Sequence, residues 1–261
     1  MPERLTVEYA SLTDVGRKRS HNEDSMKVVG EDRLFLVADG MGGHNAGEVA
    51  SAMAVDLVGQ FFREARRDPP VHWPFKQSRG EDYDAETLSI AIQYANLRIF
   101  ESARENAERR GMGTTFVGAL VRDRAAWVAH VGDSRGYMVR ASGSIEPLTI
   151  DHSLLEEYRR TRPDLTEEQL KKFPYKNVIT RALGMKSDVS VELHRHELHA
   201  NDVLVLCCDG LTGMISDEHI ARLVRGAPSL DDACRNLVQA ANEAGGLDNI
   251  TVVLVRAVGR A

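Results

Sequence analysis

The chain of 261 residues has few cysteines, and it lacks any long apolar run. Its three cysteines, Cys207, Cys208 and Cys234, do not form the even, spaced set of a disulfide framework, so we expect small buried residues in a reduced protein. No run approaches the ~20 apolar residues that a membrane helix needs, and the first residues do not resemble a signal peptide. The sequence therefore predicts a cytoplasmic protein without a membrane partner.

Neither sign of charge dominates the chain. The formal net charge is −6, and the short basic clusters at residues 17–19 and 159–160 are local. This balance argues against nucleic acid as a main partner. Hydrophobic residues make up 43% and charged residues 28%, as in ordinary globular proteins. No linker or repeat is evident, so residues 1–261 are expected to form a single domain.

Hydrophobic periodicity indicates many short strands interrupted by long helices. Apolar or alternating runs predict strands at residues 5–12, 33–38, 114–122, 125–131, 136–140, 145–149, 189–198, 203–208 and 250–257. Apolar stripes predict helices at residues 46–67, 85–110, 216–225 and 229–244, whereas the proline-rich residues 68–83 predict a loop. The regular βαβ rhythm is missing, which favours antiparallel sheets covered by helices, in the α+β class.

Residues 153–177 interrupt the β-rich part of the chain with a charged stretch that contains Pro163 and Pro174. Residues 166–169 read TEEQ, which fits a capping box at the start of a short helix. We therefore predict a surface flap in this region, although its charges are equally consistent with a solvated face.

Aspartates recur beside the apolar strands. Asp39, Asp133 and Asp209 each end a run, Asp248 begins one, and three of the four lie next to a glycine. A single Asp-Gly pair is most often only a turn. Four such acids brought together would repel one another unless cations lay between them, and oxygen ligands select magnesium, manganese or calcium. The recurrence therefore predicts a hard-metal hydrolytic site. His194, His196 and His199 are expected on a strand surface instead.

Residues 14–24 read DVGRKRSHNED, with arginines beside acids. Taken alone, such a stretch is usually a solvated run of charges. Next to a metal site, however, an arginine offers a planar fork suited to phosphate, and the neighbouring acids can order water.

These segments resemble the metal-dependent protein serine/threonine phosphatases of type 2C, in their compact bacterial form. The resemblance rests on ordered motifs at residues 13–19 (TDVGRKR), 22–24 (NED), 37–44 (VADGMGGH), 113–115 (GTT), 132–135 (GDSR), 151–153 (DHS), 179–184 (ITRALG), 208–211 (CDGL) and 248–251 (DNIT). They span nearly the whole chain, and their order is far more specific than any one of them.

The resemblance implies a single-domain fold of two packed antiparallel sheets flanked by helix pairs. It also implies two Mn²⁺ or Mg²⁺ ions, with Asp39 bridging them, the Gly40 carbonyl oxygen on one, and Asp209 and Asp248 on the other. A weaker third ion would lie between Asp133 and Asp209. The remaining implied roles are water binding by Glu23 and Asp24 and phosphate binding by Arg19.

The implied reaction is hydrolysis of phosphoserine or phosphothreonine by a metal-bridging hydroxide, without a phosphoenzyme. No Cys-x5-Arg loop of the thiol-dependent phosphatases occurs in the chain. Many eukaryotic relatives have a histidine after the Asp-Gly pair as the proposed acid, whereas this chain has Met41. His44 is our preferred general acid, and His152 or a metal-bound water is the alternative.

The expected role is therefore signalling, with phosphorylated proteins as substrates and serine/threonine kinases as opponents, in a protein that is monomeric. One alternative is a catalytically weak metal-binding sensor of phosphoproteins. Another is the same chemistry directed at an anti-sigma antagonist, a role usually accompanied by a sensor domain that this chain lacks.

Overall fold

The computed structural model describes residues 5–42, 46–65, 83–162, 164–171, 173–175 and 177–259. The strands are β1 (Thr6–Asp14), β2 (Asp24–Val29), β3 (Leu34–Met41), β4 (Gly113–Thr114), β5 (Phe116–Arg122), β6 (Ala125–Val131), β7 (Arg135–Val139), β8 (Ile145–Pro147), β9 (Glu192–Glu197), β10 (Val203–Cys207) and β11 (Ile250–Val258). The α-helices are α1 (Ala46–Ala65), α2 (Tyr83–Glu105), α3 (Leu154–Thr161), α4 (Glu167–Lys171), α5 (Asp209–Thr212), α6 (Asp217–Gly226) and α7 (Leu230–Glu243).

The strands form two antiparallel sheets. The first sheet has the order β1-β11-β10-β7-β8, and the second has the order β2-β3-β5-β6-β9 with β4 attached to β3. The predicted two-sheet α+β architecture is therefore confirmed. Within the described ranges, no helix combines the length and the apolar character that a membrane span requires.

Three apolar layers hold the sheets and helices together. In β3, Leu34 and Leu36 face α1 and α2, whereas Phe35 and Val37 pack between the two sheets. In β10, Val203 and Val205 face α6 and α7, whereas Leu204 and Leu206 enter the intersheet core. Because strand side chains alternate, one continuously apolar strand can serve both layers. The order across the molecule is helices, sheet, sheet, helices.

Several elements differ from the sequence-based expectation. The strand β2 lies in a stretch that was not assigned, and α3 was not expected in the flap region. The capping box at Thr166 is confirmed, since Gln169 Oε1 accepts from the Thr166 amide at 2.8 Å and Thr166 Oγ1 from the Gln169 amide at 3.3 Å. The predicted loop at residues 68–83 lies outside the described residues except for Tyr83, which begins α2.

All three cysteines are buried and unbonded to one another, as expected. Burial raises the pKa of both Cys207 and Cys234 to about 12, so these thiols stay protonated at neutral pH. They contribute to the core rather than to chemistry.

Candidate metal centre

The sheets bring the aspartates together at one end of the molecule. Asp39 in β3 is the register partner of Asp24 in β2, so the second sheet contributes an adjacent pair of acids. The first sheet contributes Asp209, two residues after the end of β10, and Asp248, two residues before β11. Asp133 follows a bend at Gly132, whose φ of +108° is a conformation that favours glycine.

The backbone around Asp39 is packed too tightly for a side chain at the next position. A Cβ on Gly40 would lie 2.1 Å from the Gly47 carbonyl oxygen and 2.5 Å from that of Glu23. The Gly40 amide donates to the Glu23 carbonyl at 3.1 Å, which fixes the two segments against each other. Glycine therefore lets the strand approach the loop closely while keeping Asp39 at its rim.

Burial and mutual repulsion raise the pKa of four of the clustered acids, Asp24, Asp39, Asp133 and Asp209. Desolvation raises the pKa of Asp39 well above its usual range, and the charges of the other four acids raise it further. The same causes, desolvation first, raise the pKa of Asp24 to about 6 and that of Asp133 to about 7. Burial and then the charge of Asp248 raise the pKa of Asp209. The protein thus holds carboxylates together at an electrostatic cost.

An unpartnered oxygen marks the same place. Asp24 is buried, and its Oδ1 atom has no hydrogen-bond partner among the described residues. Its Oδ2 atom accepts from the Thr251 hydroxyl at 2.6 Å. Since a buried carboxylate oxygen without a partner is costly, this acid fits a site that binds ordered water or a cation. The residues present therefore suit divalent cations.

A thiol lies among the acids but does not compete as a ligand. Ligand atoms of Asp24, Asp39 and Cys208 lie within 4.8 Å of one another. However, the Cys208 thiol lies 3.3 Å from the Asn249 carbonyl as a donor and 3.0 Å from the Thr251 amide as an acceptor. Burial raises the pKa of this thiol well above its usual range, so it stays protonated. The remaining ligands are oxygens, which suit magnesium or manganese.

Arg19 is the cation that the structure places at the cluster. Its Nη2 atom lies 2.7 Å from Asp248 Oδ2, and about half of its side chain is exposed. The pKa of Arg19 is raised, chiefly by this hydrogen bond. Its other N–H groups can still bind a substrate anion, because a guanidinium carries five donors.

Asn249 holds the loop that carries Arg19. Its Nδ2 atom donates to the Val15 and His21 carbonyls, both at 3.0 Å, and its Oδ1 atom accepts from the Glu23 amide at 2.8 Å. Sequence reasoning assigned Asn249 no role, since an isolated amide carries no pattern. Its place in the DNIT motif at residues 248–251, next to the apolar run of β11, points to this position without giving it a role.

A second chain of hydrogen bonds supports Asp24. The side-chain amide of Asn22 donates from Nδ2 to Thr13 Oγ1 at 2.8 Å, and the Thr13 and Thr251 hydroxyls lie 2.7 Å apart. The hydroxyl of Thr251 then donates to Asp24. These threonines lie opposite each other in β1 and β11, so the sheet register itself positions the acid.

A cleft of about 330 Å³ opens beside the acids. Asp133, Asp209 and Asp248 line it together with Asn177, which belongs to the predicted flap. Arg135 also lines the cleft, but Asp151 Oδ1 and Oδ2 accept from its guanidinium at 2.8 and 2.7 Å. That bidentate pair leaves Arg19 as the better candidate for binding an anion.

Of the two histidines considered as general acid, only His152 lies within the described residues. It is buried, its Nδ1 atom accepts from the Gly132 amide at 3.0 Å, and its Nε2 atom lies 2.9 Å from Glu192 Oε1. Both ring nitrogens are therefore engaged away from the cleft, which makes His152 a poor acid for a substrate. His44 lies outside the described residues and stays a prediction.

Known proteins match this chain both in sequence and in fold. The family model for protein phosphatase 2C matches residues 15–251. The serine/threonine phosphatase stp of Listeria welshimeri is 37% identical over 247 residues, covering 93% of each chain. The solved structure of the S. agalactiae serine/threonine phosphatase superposes with a TM-score of 0.83 at 36% identity, covering 96% of this chain and 99% of that one.

A further solved neighbour bears on the acids. The catalytic domain of the serine/threonine protein phosphatase PstP, determined with two manganese ions, has a TM-score of 0.81 at 31% identity. The alignment covers 97% of this chain and 99% of that one. Matches in sequence and in fold thus extend over almost the full length of the chain, which belongs to the protein phosphatase 2C family.

Proposed function

We propose that this protein is a metal-dependent phosphatase that hydrolyses phosphoserine and phosphothreonine in proteins. Family membership supports the reaction class. The observation that carries the proposal is the acid cluster, in which the buried Asp24 and the partly exposed Asp39, Asp133, Asp209 and Asp248 repel one another. Such a cluster stores the negative charge that divalent cations neutralise.

Two Mn²⁺ or Mg²⁺ ions would be held by Asp39, the Gly40 carbonyl oxygen, Asp209 and Asp248. Asp133 and Asp209 would provide a weaker third site, which is supported by the repulsion between them. When bound, the ions lower the pKa of water near a phosphoryl group and neutralise charge on its oxygens.

The protein's own groups bind and orient the substrate. Arg19 would bind phosphoryl oxygens with the N–H groups that Asp248 leaves free, while Glu23 and Asp24 hold water next to the acids. His44 is proposed as the acid that protonates the leaving serine or threonine oxygen. Replacement of His44 by Ala should then slow phosphopeptide hydrolysis far more than p-nitrophenyl phosphate hydrolysis, whose leaving group needs no acid. Equal slowing of both substrates would remove His44 from that role.

The substrates would be phosphorylated proteins, in opposition to serine/threonine kinases. We further propose a cytoplasmic monomer with one catalytic domain, in which residues 153–177 form a flap beside the cleft. Nucleic acid is not an expected partner.

The deciding experiment measures hydrolysis of a phosphothreonine peptide with Mn²⁺, with EDTA, and by the Asp209→Asn variant. We expect activity only in the wild type with the metal. Asp56→Asn is the matched control, because Asp56 is exposed on α1 and pairs with Lys27 outside the cluster. Activity that survives both chelation and Asp209→Asn would contradict the proposal. Metal uptake and phosphopeptide binding without turnover would instead indicate the sensor alternative.

A further inference from the structure

Two exposed cations lie immediately before Arg19. Arg17 and Lys18 are both solvent-exposed, in the loop between β1 and β2 that also carries Arg19. Across the described part of the chain, neither makes an ion pair, whereas Arg19 pairs with Asp248. Their positive charge is therefore available to a molecule that approaches Arg19.

The stem of Arg17 is anchored on the loop that leads to the metal centre. Its backbone amide donates to the Gly246 carbonyl at 2.7 Å. A Cβ on Gly246 would lie 2.7 Å from Arg17 Cγ, so the side chain lies directly against this glycine. The next two residues, Leu247 and Asp248, line the cleft. The exposed side chain of Arg17 is thus held, at its stem, beside the residues that lead into the cleft.

The acids near this loop are engaged elsewhere. Asp14 Oδ1 accepts from the Gly16 amide at 2.8 Å and from Asn242 Nδ2 at 3.0 Å. Glu23 lies 3.7 Å from the imidazole of His21, and only 13% of its side chain is exposed. Neither carboxylate neutralises Arg17 or Lys18.

We propose that Arg17 and Lys18 make this phosphatase prefer phosphopeptides with acidic side chains next to the phosphorylated residue. The inference rests on the proposed function and specifies its substrate class. A phosphate at Arg19 places the neighbouring peptide residues near Arg17 and Lys18, and carboxylates there complete the charge complementarity. Exposed ion pairs of this kind correspond to roughly two- to fivefold in a binding constant each.

The test compares two phosphothreonine peptides that differ only in flanking Glu and Asp against Gln and Asn. For the wild type, we expect the kcat/KM of the acidic peptide to exceed that of the neutral peptide by about three- to tenfold, mostly through KM. Because screening weakens exposed pairs, the ratio should shrink toward one at ~0.5 M salt.

The ratio, rather than the absolute rate, is then measured in variants. The double variant Arg17→Gln with Lys18→Gln should bring the ratio of acidic to neutral kcat/KM close to one. The double variant Arg17→Glu with Lys18→Glu should bring this ratio below one. The single variant Lys18→Gln keeps the Arg17 side chain and its contact with Gly246. It should lower the ratio without disturbing the loop. Arg222→Gln, at an exposed position on α6, is the matched control and should keep the wild-type ratio.

A wild-type ratio near one, or a ratio unchanged by both the double and the single variant, overturns the inference and leaves the phosphatase assignment intact. Absence of hydrolysis of either peptide with Mn²⁺ would instead contradict the proposed function itself. The two failures are therefore distinguishable.

Discussion

Among the described residues, two clusters of ionisable side chains each place three possible ligand atoms within 4.8 Å of one another. One lies in the acid cluster and consists of Asp24, Asp39 and the Cys208 thiol. The other consists of His130, His152 and Glu192, where β6, β9 and the base of the predicted flap meet. Equal ligand geometry does not make them equivalent.

The two clusters differ in whether protein side chains balance the charge of their carboxylates. In the histidine cluster, Arg181 Nη1 lies 3.3 Å from Glu192 Oε1, and the two imidazoles stack with centroids 4.6 Å apart. Burial lowers the pKa of both His130 and His152, which favours neutral rings. The protein thus satisfies this cluster itself. The acid cluster brings five carboxylates together. Of the two arginines beside it, Arg19 pairs with Asp248 and Arg135 is engaged by Asp151, so this cluster requires an external cation.

The strongest test removes a central acid. Asp39→Asn should abolish saturable Mn²⁺ uptake and lower phosphopeptide turnover by roughly a thousandfold or more, equivalent to about 4 kcal/mol or more of transition-state stabilisation. Calorimetry measures the uptake, and steady-state kinetics the turnover. Asp56→Asn should preserve both, whereas retained metal binding in Asp39→Asn would erase the distinction between the clusters.

The second test uses pH. In the metal-free protein, the folded-state pKa values of Asp24 and Asp133 are about 6 and 7, above their ordinary 3.8. Between the ordinary pKa and these raised values, the folded state therefore binds more protons than the unfolded state. The free energy of unfolding then falls as pH rises from about 4 to 7. The free energy of unfolding of the Asp133→Asn variant should fall less steeply as pH rises. A difference of ~1 kcal/mol corresponds to roughly 2–4 °C in Tm.

Mn²⁺ should reverse this trend, because metal binding competes with protons for the same carboxylates. We expect the Tm gain from Mn²⁺ to grow between pH 5 and pH 7.5. Scanning calorimetry with EDTA and with Mn²⁺ measures both curves. If the Tm of the metal-free wild type rises relative to that of Asp133→Asn as pH increases over this range, repulsion among the acids does not destabilise the metal-free protein.

A third test addresses the support of Asp24. Thr251→Val removes the hydroxyl that donates to Asp24 Oδ2 and leaves both carboxylate oxygens without a hydrogen-bond partner among the described residues. We expect a loss of about 1–3 kcal/mol in the free energy of unfolding. Thr251→Ser keeps the hydroxyl and should recover most of it. Equal melting of the valine and serine variants would show that the hydroxyl is dispensable.

The smallest effect is expected in the histidine cluster. Glu192→Gln replaces a carboxylate that is 37% exposed with a neutral amide, so the loss of its charge should cost no more than about 1 kcal/mol. The Mn²⁺ stoichiometry should remain that of the wild type in calorimetric titration. A lost equivalent of metal in Glu192→Gln would show that this cluster, too, holds a cation.

The sequence predicts the apolar strands of this fold well, because runs such as those of β3 and β10 are buried on both faces. It misses β2, whose six residues are mostly half-buried and mix Lys27 with apolar side chains, so that neither period stands out. It also misses α3, which has no fully buried residue and depends on the Ser153 cap. Solvated elements leave little hydrophobic pattern to detect.

The same contrast applies to the candidate site. Asp39, Asp133, Asp209 and Asp248 could be identified because each borders a strand too apolar for the surface. Asn249 could not, since its three hydrogen bonds join segments far apart in the chain. Long-range polar contacts of this kind become visible only when the sheets are assembled.

The origin of the acids in different layers has a mechanical consequence. Asp39 belongs to one sheet, whereas Asp209 and Asp248 adjoin strands of the other. An ion held jointly by these residues would cross-link the two sheets, in addition to the apolar core between them. Its release should loosen that end first, so that amide exchange quickens around β3 and β11 while the opposite edges keep their protection.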